Sequence, residues 1–402
     1  MQTGFIQIVN GNVITPFAIH YHASVLVKDG RIEGVFPDNR SLLEVETIDA
    51  RGRFVSPGFI DLHVHGGGGH DFMDGDLEGF LEIARMHGRH GTTSMVPTSL
   101  TSTREQLLAL LSTYEKATHA NDRGAVFLGM HLEGPYFAMN QRGAQDPRYI
   151  RDPDPEEYEE ILNYSHLIAR WSAAPERKGA LEFGRRLREK GVLAAMAHTD
   201  AVYEEVLAAV EAGYTLSTHL YSGMSGVTRK NAFRYAGVIE SSLLLDALDV
   251  EIIADGIHLP APLLKLIYKI KGPDKIALIT DAMRGAGMPE GESMLGHKED
   301  GLKVIIEDDV AKLPDRSSFA GSVATADRLV RTMLRQADVS MLEAVKMISQ
   351  TPARIMGIEN KKGAIQEGMD ADLLLFDSNI MVSMTMVEGK VIHHTETEAI
   401  SQ

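Results

Sequence analysis

Two histidines one residue apart give the first sign of chemistry. His63-Val64-His65 ends the run Pro57-Gly58-Phe59-Ile60-Asp61-Leu62 and is followed by four glycines, Gly66 to Gly69. Side chains alternate along an extended chain, so residues 63 and 65 point to the same side and their imidazoles can grip one cation. The glycines allow a sharp turn and leave space above that cation. Other apolar runs also stop at polar residues: His131 and Glu133, then His198, His219, Asp255 with His258, and Asp281. A single histidine in such a place is an ordinary core or surface residue, but the joint placement over several runs points to a site. The donors are nitrogen and oxygen only, which suits Zn2+, Fe2+ or Mn2+. An ion in an open site of this kind lowers the pKa of its water to about 7 and polarises a carbonyl. A free carboxylate alongside can carry the proton, and Asp281, in Ile279-Thr280-Asp281-Ala282-Met283, is the best placed candidate.

Composition narrows the class of protein. The 402 residues carry a formal net charge of −16, which repels polyanions and speaks against a nucleic-acid partner. Zero cysteines exclude a disulfide scaffold, a thiolate zinc site, a cysteine nucleophile and Fe–S ligation. No basic segment precedes an apolar core at the N-terminus, and no run approaches the roughly 18 apolar residues of a membrane span. The expectation is a cytoplasmic protein with no membrane partner.

The elements that must position these residues have two rhythms. Eight short apolar runs alternate with helical stretches: Gly58–Val64, Thr92–Pro97, Ala125–Leu132, Ile168–Ala173, Val192–Ala197, Thr215–His219, Val250–Ala254 and Lys275–Thr280. Tyr203 to Ala212 is one such helix, with apolar positions at Val206, Leu207 and Val210. Eight βα units over roughly 300 residues predict an α/β fold, a (β/α)8 TIM barrel whose strand ends face the site. The ends of the chain are β-rich instead. Asn10-Gly11-Asn12, Lys28-Asp29-Gly30 and Val387-Glu388-Gly389-Lys390-Val391 read as turns and hairpins. We therefore expect a small β-sandwich domain built from residues 1–56 and 362–402, with the barrel over 57–361.

At this point the residues resemble a family. Pro57-Gly58-Phe59-Ile60-Asp61-Leu62-His63-Val64-His65-Gly66, His131-Leu132-Glu133-Gly134-Pro135, Arg142-Gly143-Ala144-Gln145 and Ala197-His198-Thr199-Asp200-Ala201 are similar to motifs of the amidohydrolase superfamily. Thr218-His219-Leu220-Tyr221, Ala254-Asp255-Gly256-Ile257-His258, Thr280-Asp281-Ala282-Met283 and Ala320-Gly321-Ser322 continue the series in order. Within the superfamily the chain resembles the N-acetylglucosamine-6-phosphate deacetylases, and His-Leu-Glu-Gly-Pro is the most specific motif. The resemblance implies metal-dependent hydrolysis of the acetamide of an amino-sugar phosphate. It implies one or two divalent metals, Zn2+ before Fe2+ or Mn2+, with Glu133, His198 and His219 on the main ion and His63, His65 and Glu133 on a second. It implies metal-bound water as the nucleophile, Asp281 as general base and acid, and Gln145 as a donor to the acetyl oxygen. Ala144 and the Phe319-Ala320-Gly321 loop would line the sugar pocket, His258 would help hold the phosphate, and a homodimer is expected.

Two details bear on that reading. The strand Leu167 to Pro175 has no lysine to bridge two metals as a carbamate, so Glu133 is the available bridging carboxylate. This argues against a hydantoinase-like site. Where the family usually has Asn-Ala, this chain has Ser222 and Gly223, and the family's phosphate-binding arginine, supplied across a dimer interface, falls on Lys230, with Arg229 adjacent and Arg234 close by. The alternatives are another N-acetyl-hexosamine phosphate such as the galacto epimer, another N-acyl amine, or a non-catalytic scaffold.

Overall fold

The computed structural model describes residues 4–42 and 45–395. Residues 1–3 and 396–402, the extreme ends of the expected terminal domain, lie outside the described residues.

Each of the eight apolar runs forms a strand: β1 (Phe59–Val64), β2 (Thr92–Pro97), β3 (Met130–Glu133), β4 (Ile168–Ala173), β5 (Leu193–Met196), β6 (Tyr214–Ser217), β7 (Asp249–Ile253) and β8 (Ile276–Ile279). β3 through β8 pair in parallel as one sheet, and β1 pairs in parallel with β2. Parallel bridges Thr98–His131 and Val64–Ala282 join the two sheets at either side. The result is a TIM-barrel-type α/β arrangement, with helices such as Leu77–Arg89, Tyr203–Ala212 and Ala261–Lys271 between strands. The third run is shorter than expected as a single strand: it breaks at Leu128-Gly129 into Val126–Phe127 and Met130–Glu133.

Alternation along the strands divides their side chains. Ile60 and Leu62 pack with Val96, Ala277, Ile279 and Ala353 of the helix Gln350–Ile355. Their neighbours Asp61 and His63 belong to a polar interior. Such barrels usually fill this space with branched apolar residues, but here it holds hydrogen-bonded charge. Arg170 and Glu251, both fully buried, form a bidentate pair in which Arg170 Nη2 lies 2.9 Å from Glu251 Oε2. Arg170 also donates to Thr218 Oγ1 at 3.0 Å, and Ser172 Oγ is 3.2 Å from the same hydroxyl. Asp61 accepts from Thr280 Oγ1 at 2.5 Å and from the Thr280 and His63 amides. Burial pushes the Asp61 carboxyl up to about 7 against those donors.

The two β-rich ends meet in one eight-stranded sheet. Leu373–Phe376 runs antiparallel to Phe54–Pro57, which joins C-terminal strands Val382–Val387 and Lys390–His394 to N-terminal strands Phe5–Ile14, Ile19–Lys28 and Arg31–Phe36. The expected hairpins are present: Asp29 and Gly30 at φ 49° and 81°, and Glu388 and Gly389 at φ 48° and 80°, make tight turns between paired strands. The expected turn at Asn10-Gly11-Asn12 is not. The strand runs on through these residues, and Asn10 at φ 55° makes an irregularity in its pairing with Ile19–Lys28. A positive-φ Asn beside Gly serves a bulge as well as a turn.

A four-stranded antiparallel insert follows β8: Gly291–Leu295, Leu302–Glu307, Val310–Lys312 and Phe319–Ser322. Its last strand returns to the barrel, where the Ser322 amide donates to Asp281 O at 2.8 Å. Phe319-Ala320-Gly321, expected as a loop, is thus strand. Among the described residues no helix is long and apolar enough to cross a membrane.

Candidate active site

The C-terminal ends of the barrel strands deliver six donors to one point. β1 and the residue after it supply His63 and His65, whose Nε2 atoms are 3.1 Å apart. Glu133, the last residue of β3, lies between four imidazoles: its Oε1 is 3.5 Å from His63 Nε2, 3.4 Å from His198 Nε2 and 3.0 Å from His219 Nε2. Its Oε2 is 3.4 Å from His65 Nε2. From the opposite side, Asp281 Oδ1 approaches His63 and His65 Nε2 at 3.5 and 3.2 Å.

Backbone strain helps produce this convergence. His198, His219 and Asp281 all have positive φ, at 46°, 36° and 49°, a region L-residues rarely adopt. Each follows a strand by two residues, and the unusual dihedral turns the chain sharply there. Such conformations cost about 1–3 kcal/mol each and persist where the surroundings impose them. Gly223 and Gly321 close the frame. A Cβ at Gly223, itself at φ +57°, would lie 2.7 Å from His198 Nδ1, and one at Gly321 would lie 2.9 Å from Asp281 O.

The imidazoles are presented as ligands. His198 Nδ1 lies 2.8 Å from Gln141 O; donating there leaves the Nε2 lone pair facing Glu133. Among the described residues the Nδ1 atoms of His63, His65 and His219 have no partner, while all four Nε2 atoms converge. Burial works against charge on Glu133, yet the surrounding imidazoles of His63, His198, His219 and His65 outweigh it and hold the carboxyl well below its ordinary range. His63, Glu133 and His219 form one group of donors within metal-binding reach, and His63, His65 and Asp281 a second that shares His63. This donor set fits a divalent cation of the zinc, iron or manganese kind.

Above the donors is a cavity of about 270 Å3. Ala144, Gln145, Ser222, Gly223, His258, Phe319 and Gly321 line it, with His65, Glu133, His198, His219 and Asp281 at its base. Gln145 is fixed at both ends: Oε1 accepts from the Thr101 amide at 2.9 Å and Nε2 donates to Glu133 Oε2 at 2.6 Å, leaving one N–H for a ligand. His258 is held by Asp255, whose Oδ2 is 2.7 Å from its Nδ1, and its ring lies 4.5 Å from that of Phe319.

Four expected residues sit elsewhere. Arg229 and Lys230 are exposed on a hairpin, Thr228–Lys230 with Phe233–Tyr235, outside the cavity. Ala320 is buried behind its neighbours. His131 lies inside the barrel, its ring 4.7 Å from that of His63 and its Nε2 2.6 Å from Ser172 Oγ. Conversely, Leu100, Tyr221, Leu295 and Ser318 line the cavity without having been singled out. Nothing in the local pattern marks Leu100, Leu295 or Ser318, which arrive on a loop and on the insert, whereas Tyr221 closes the motif Thr218-His219-Leu220-Tyr221.

Fold and site together define a metal-binding barrel hydrolase, and the sequence profile of the Amidohydrolase family matches residues 54–392. The chain belongs to that family. It is 34% identical over 368 residues to N-acetylglucosamine-6-phosphate deacetylase of Lysinibacillus sphaericus, covering 91% of this chain and 92% of the relative. It is 31% identical to N-acetylgalactosamine-6-phosphate deacetylase of Escherichia coli O157:H7, covering 91% and 93%. Among solved structures, N-acetyl-D-glucosamine-6-phosphate deacetylase of Mycobacterium smegmatis in complex with N-acetyl-D-glucosamine-6-phosphate superposes with a TM-score of 0.89 at 28% identity, over 97% of this chain and all of the other. The Pasteurella multocida enzyme gives 0.90 at 26% identity, over 96% and 99%.

Proposed function

We propose that this chain hydrolyses the acetamide of N-acetyl-D-glucosamine 6-phosphate to D-glucosamine 6-phosphate and acetate. The observation that carries the reading is the convergence of four imidazole Nε2 atoms and two carboxylates under a pocket, in a chain whose relatives are named for this reaction. Glu133, His198 and His219 would hold the main divalent ion, and His63, His65 and the same Glu133 a second; Zn2+ is our first choice. When bound, the ion supplies Lewis acidity toward water and the amide carbonyl.

The chain's own groups do the rest. Asp281 accepts the proton that water loses as it adds to the acyl carbon, then returns it to the nitrogen as the C–N bond breaks. The free N–H of Gln145 supports the charge that grows on the acyl oxygen. Ala144, Ser222, Gly223, Phe319, Ala320 and Gly321 shape the sugar site, and His258, oriented by Asp255, helps hold the phosphate. Arg229 and Lys230, too exposed to act within one subunit, would complete the phosphate site across a homodimer contact. We read the protein as cytoplasmic, with residues 57–361 as the barrel domain. We read residues 1–56 and 362–402 as a second domain, a small β-sandwich, and the shared core of Val13, Val25, Val55 and Leu375 supports that reading.

The test is acetate release from N-acetylglucosamine 6-phosphate by purified, zinc-loaded protein, with stoichiometric free amine expected. The E. coli relative favours a second reading, the galacto epimer, which the same assay ranks by kcat/KM. Turnover of N-acyl amino acids with none of either sugar phosphate overturns both.

A further inference from the structure

The reaction pocket has a neighbour. A second cavity, of about 300 Å3, lies behind one wall of the first. The two share only three lining residues: Leu100, Ala144 and Leu295. All three are apolar, so the shared wall is an apolar patch in the lining of the reaction pocket. Elsewhere in its lining, Ser222, His258 and Ser318 offer polar groups suited to hydroxyls and phosphate.

The position of Gln145 decides which part of a ligand meets the patch. Its side chain is anchored on the Thr101 amide, one residue after Leu100, and it directly follows Ala144. An acyl oxygen taking its free N–H therefore has Leu100 and Ala144 as immediate neighbours. The acyl carbon carries one more substituent, and the apolar patch beside Gln145 receives it without burying it against unpaired polar groups. The support behind the patch is uneven. Leu295 is buried, packed with Met283, Val304 and Ile306, whereas Leu100 is only partly buried and packs against that cluster. Behind Leu100 lie the Met73 sulfur, in contact with its amide at 3.3 Å, and then Ala109 and Leu110 of the second cavity.

We infer that Leu100, Ala144 and Leu295 form the wall that receives the methyl of the acyl group, and that Leu100 is the partition closing off room for a longer acyl chain. This rests on the deacetylase reading above. It makes Leu100 a specificity-determining residue. The bond broken and the proton path stay as described; only the substituent on the acyl carbon changes.

The experiment measures kcat/KM for N-acetyl-, N-propionyl- and N-butyryl-glucosamine 6-phosphate with the zinc-loaded enzyme. An unaccommodated methylene in a fitted pocket costs about 10–200-fold, so the wild-type protein is expected to favour acetyl over butyryl by about 100-fold or more. Leu100→Ala should raise the butyryl-to-acetyl ratio at least about tenfold, by opening one such step. Ala144→Val, which thickens the wall without opening it, should lower the propionyl-to-acetyl ratio, and it keeps the idea testable if Leu100→Ala folds poorly. Acetate release with ratios unchanged in both variants, or a wild-type enzyme indifferent to chain length, overturns the partition alone. No release from any member of the series by wild-type protein overturns the deacetylase reading and the partition with it.

Discussion

The floor and the rim of this site are built on different terms. The floor is buried and rigidly framed: His63, Glu133 and His219 are at most 3% exposed, and each sits on or just past a barrel strand. The rim comes from loops and an insert, where Phe319 is 39% exposed, and beyond the cavity stands a hairpin on which Phe233 is 72% exposed. Reaction chemistry needs donors fixed to fractions of an ångström, which a hydrogen-bonded parallel sheet supplies. Recognition of a substituent tolerates adjustment, which loops supply. A family can thus keep its floor while its rim drifts, as Ser222 and Gly223 in place of the usual pair suggest.

The sharpest way to break the comparison is to change one floor atom without changing its shape. Asp281→Asn keeps the side-chain volume and removes the proposed proton carrier. We expect kcat to fall about 10²–10⁴-fold, with metal content by elemental analysis unchanged. His198→Ala, by contrast, should lose metal as well as activity. Near-normal turnover in Asp281→Asn would move the proton to another group and leave the floor's chemistry unassigned.

Beneath the floor, the Arg170–Glu251 pair offers the next largest effect. Both side chains are fully buried, and Arg170 reaches across the barrel interior to Thr218 Oγ1 and Leu62 O. Removing one partner leaves a charge in a dry interior, a loss of about 3–5 kcal/mol. Glu251→Ala should therefore lower the denaturant midpoint of unfolding markedly. The paired replacement Arg170→Met with Glu251→Leu, which leaves no charge behind, should recover much of the loss. Equal destabilisation by the single and paired variants would mean that the pair supports the strands by packing alone.

How much of this was legible in the sequence depended on whether the signal was local. The eight strands showed because a strand buried on both sides reads as an apolar run, and the donors showed because they stand where those runs stop. His63-Val64-His65 carried its own geometry. Arg170, in contrast, stands inside the run Ile168–Ala173, where its neighbours masked it, and its partner Glu251 is 81 residues away. The positive φ of His198, His219 and Asp281 has no sequence signature, since none is a glycine. The insert over 291–322 was missed because its short antiparallel strands follow the last barrel strand with only weak alternation. With it went Leu295, and the recognition that Phe319 to Gly321 is strand.

The rim provides the smallest expected effect and the most direct test of its role. Arg229 and Lys230 stand on an exposed hairpin whose turn residues Asn231 and Ala232 both have positive φ, at 50° and 71°. An exposed ion pair within one subunit is worth about 0–1 kcal/mol, whereas a charge-assisted contact to phosphate contributes about 1.5–3 kcal/mol. If the hairpin reaches the phosphate of a neighbouring subunit, Arg229→Ala should raise KM for the 6-phosphate substrate roughly tenfold or more, the lower end of that range. KM for unphosphorylated N-acetylglucosamine should hardly move, and kcat should fall by much less than KM rises. Comparing the two substrates at low and high salt separates a seated contact from general attraction, because only the latter fades across the Debye length. An unchanged KM for the phosphorylated substrate would leave anion binding to His258 and the backbone beside Ser222, and the rim's basic hairpin would belong to the surface.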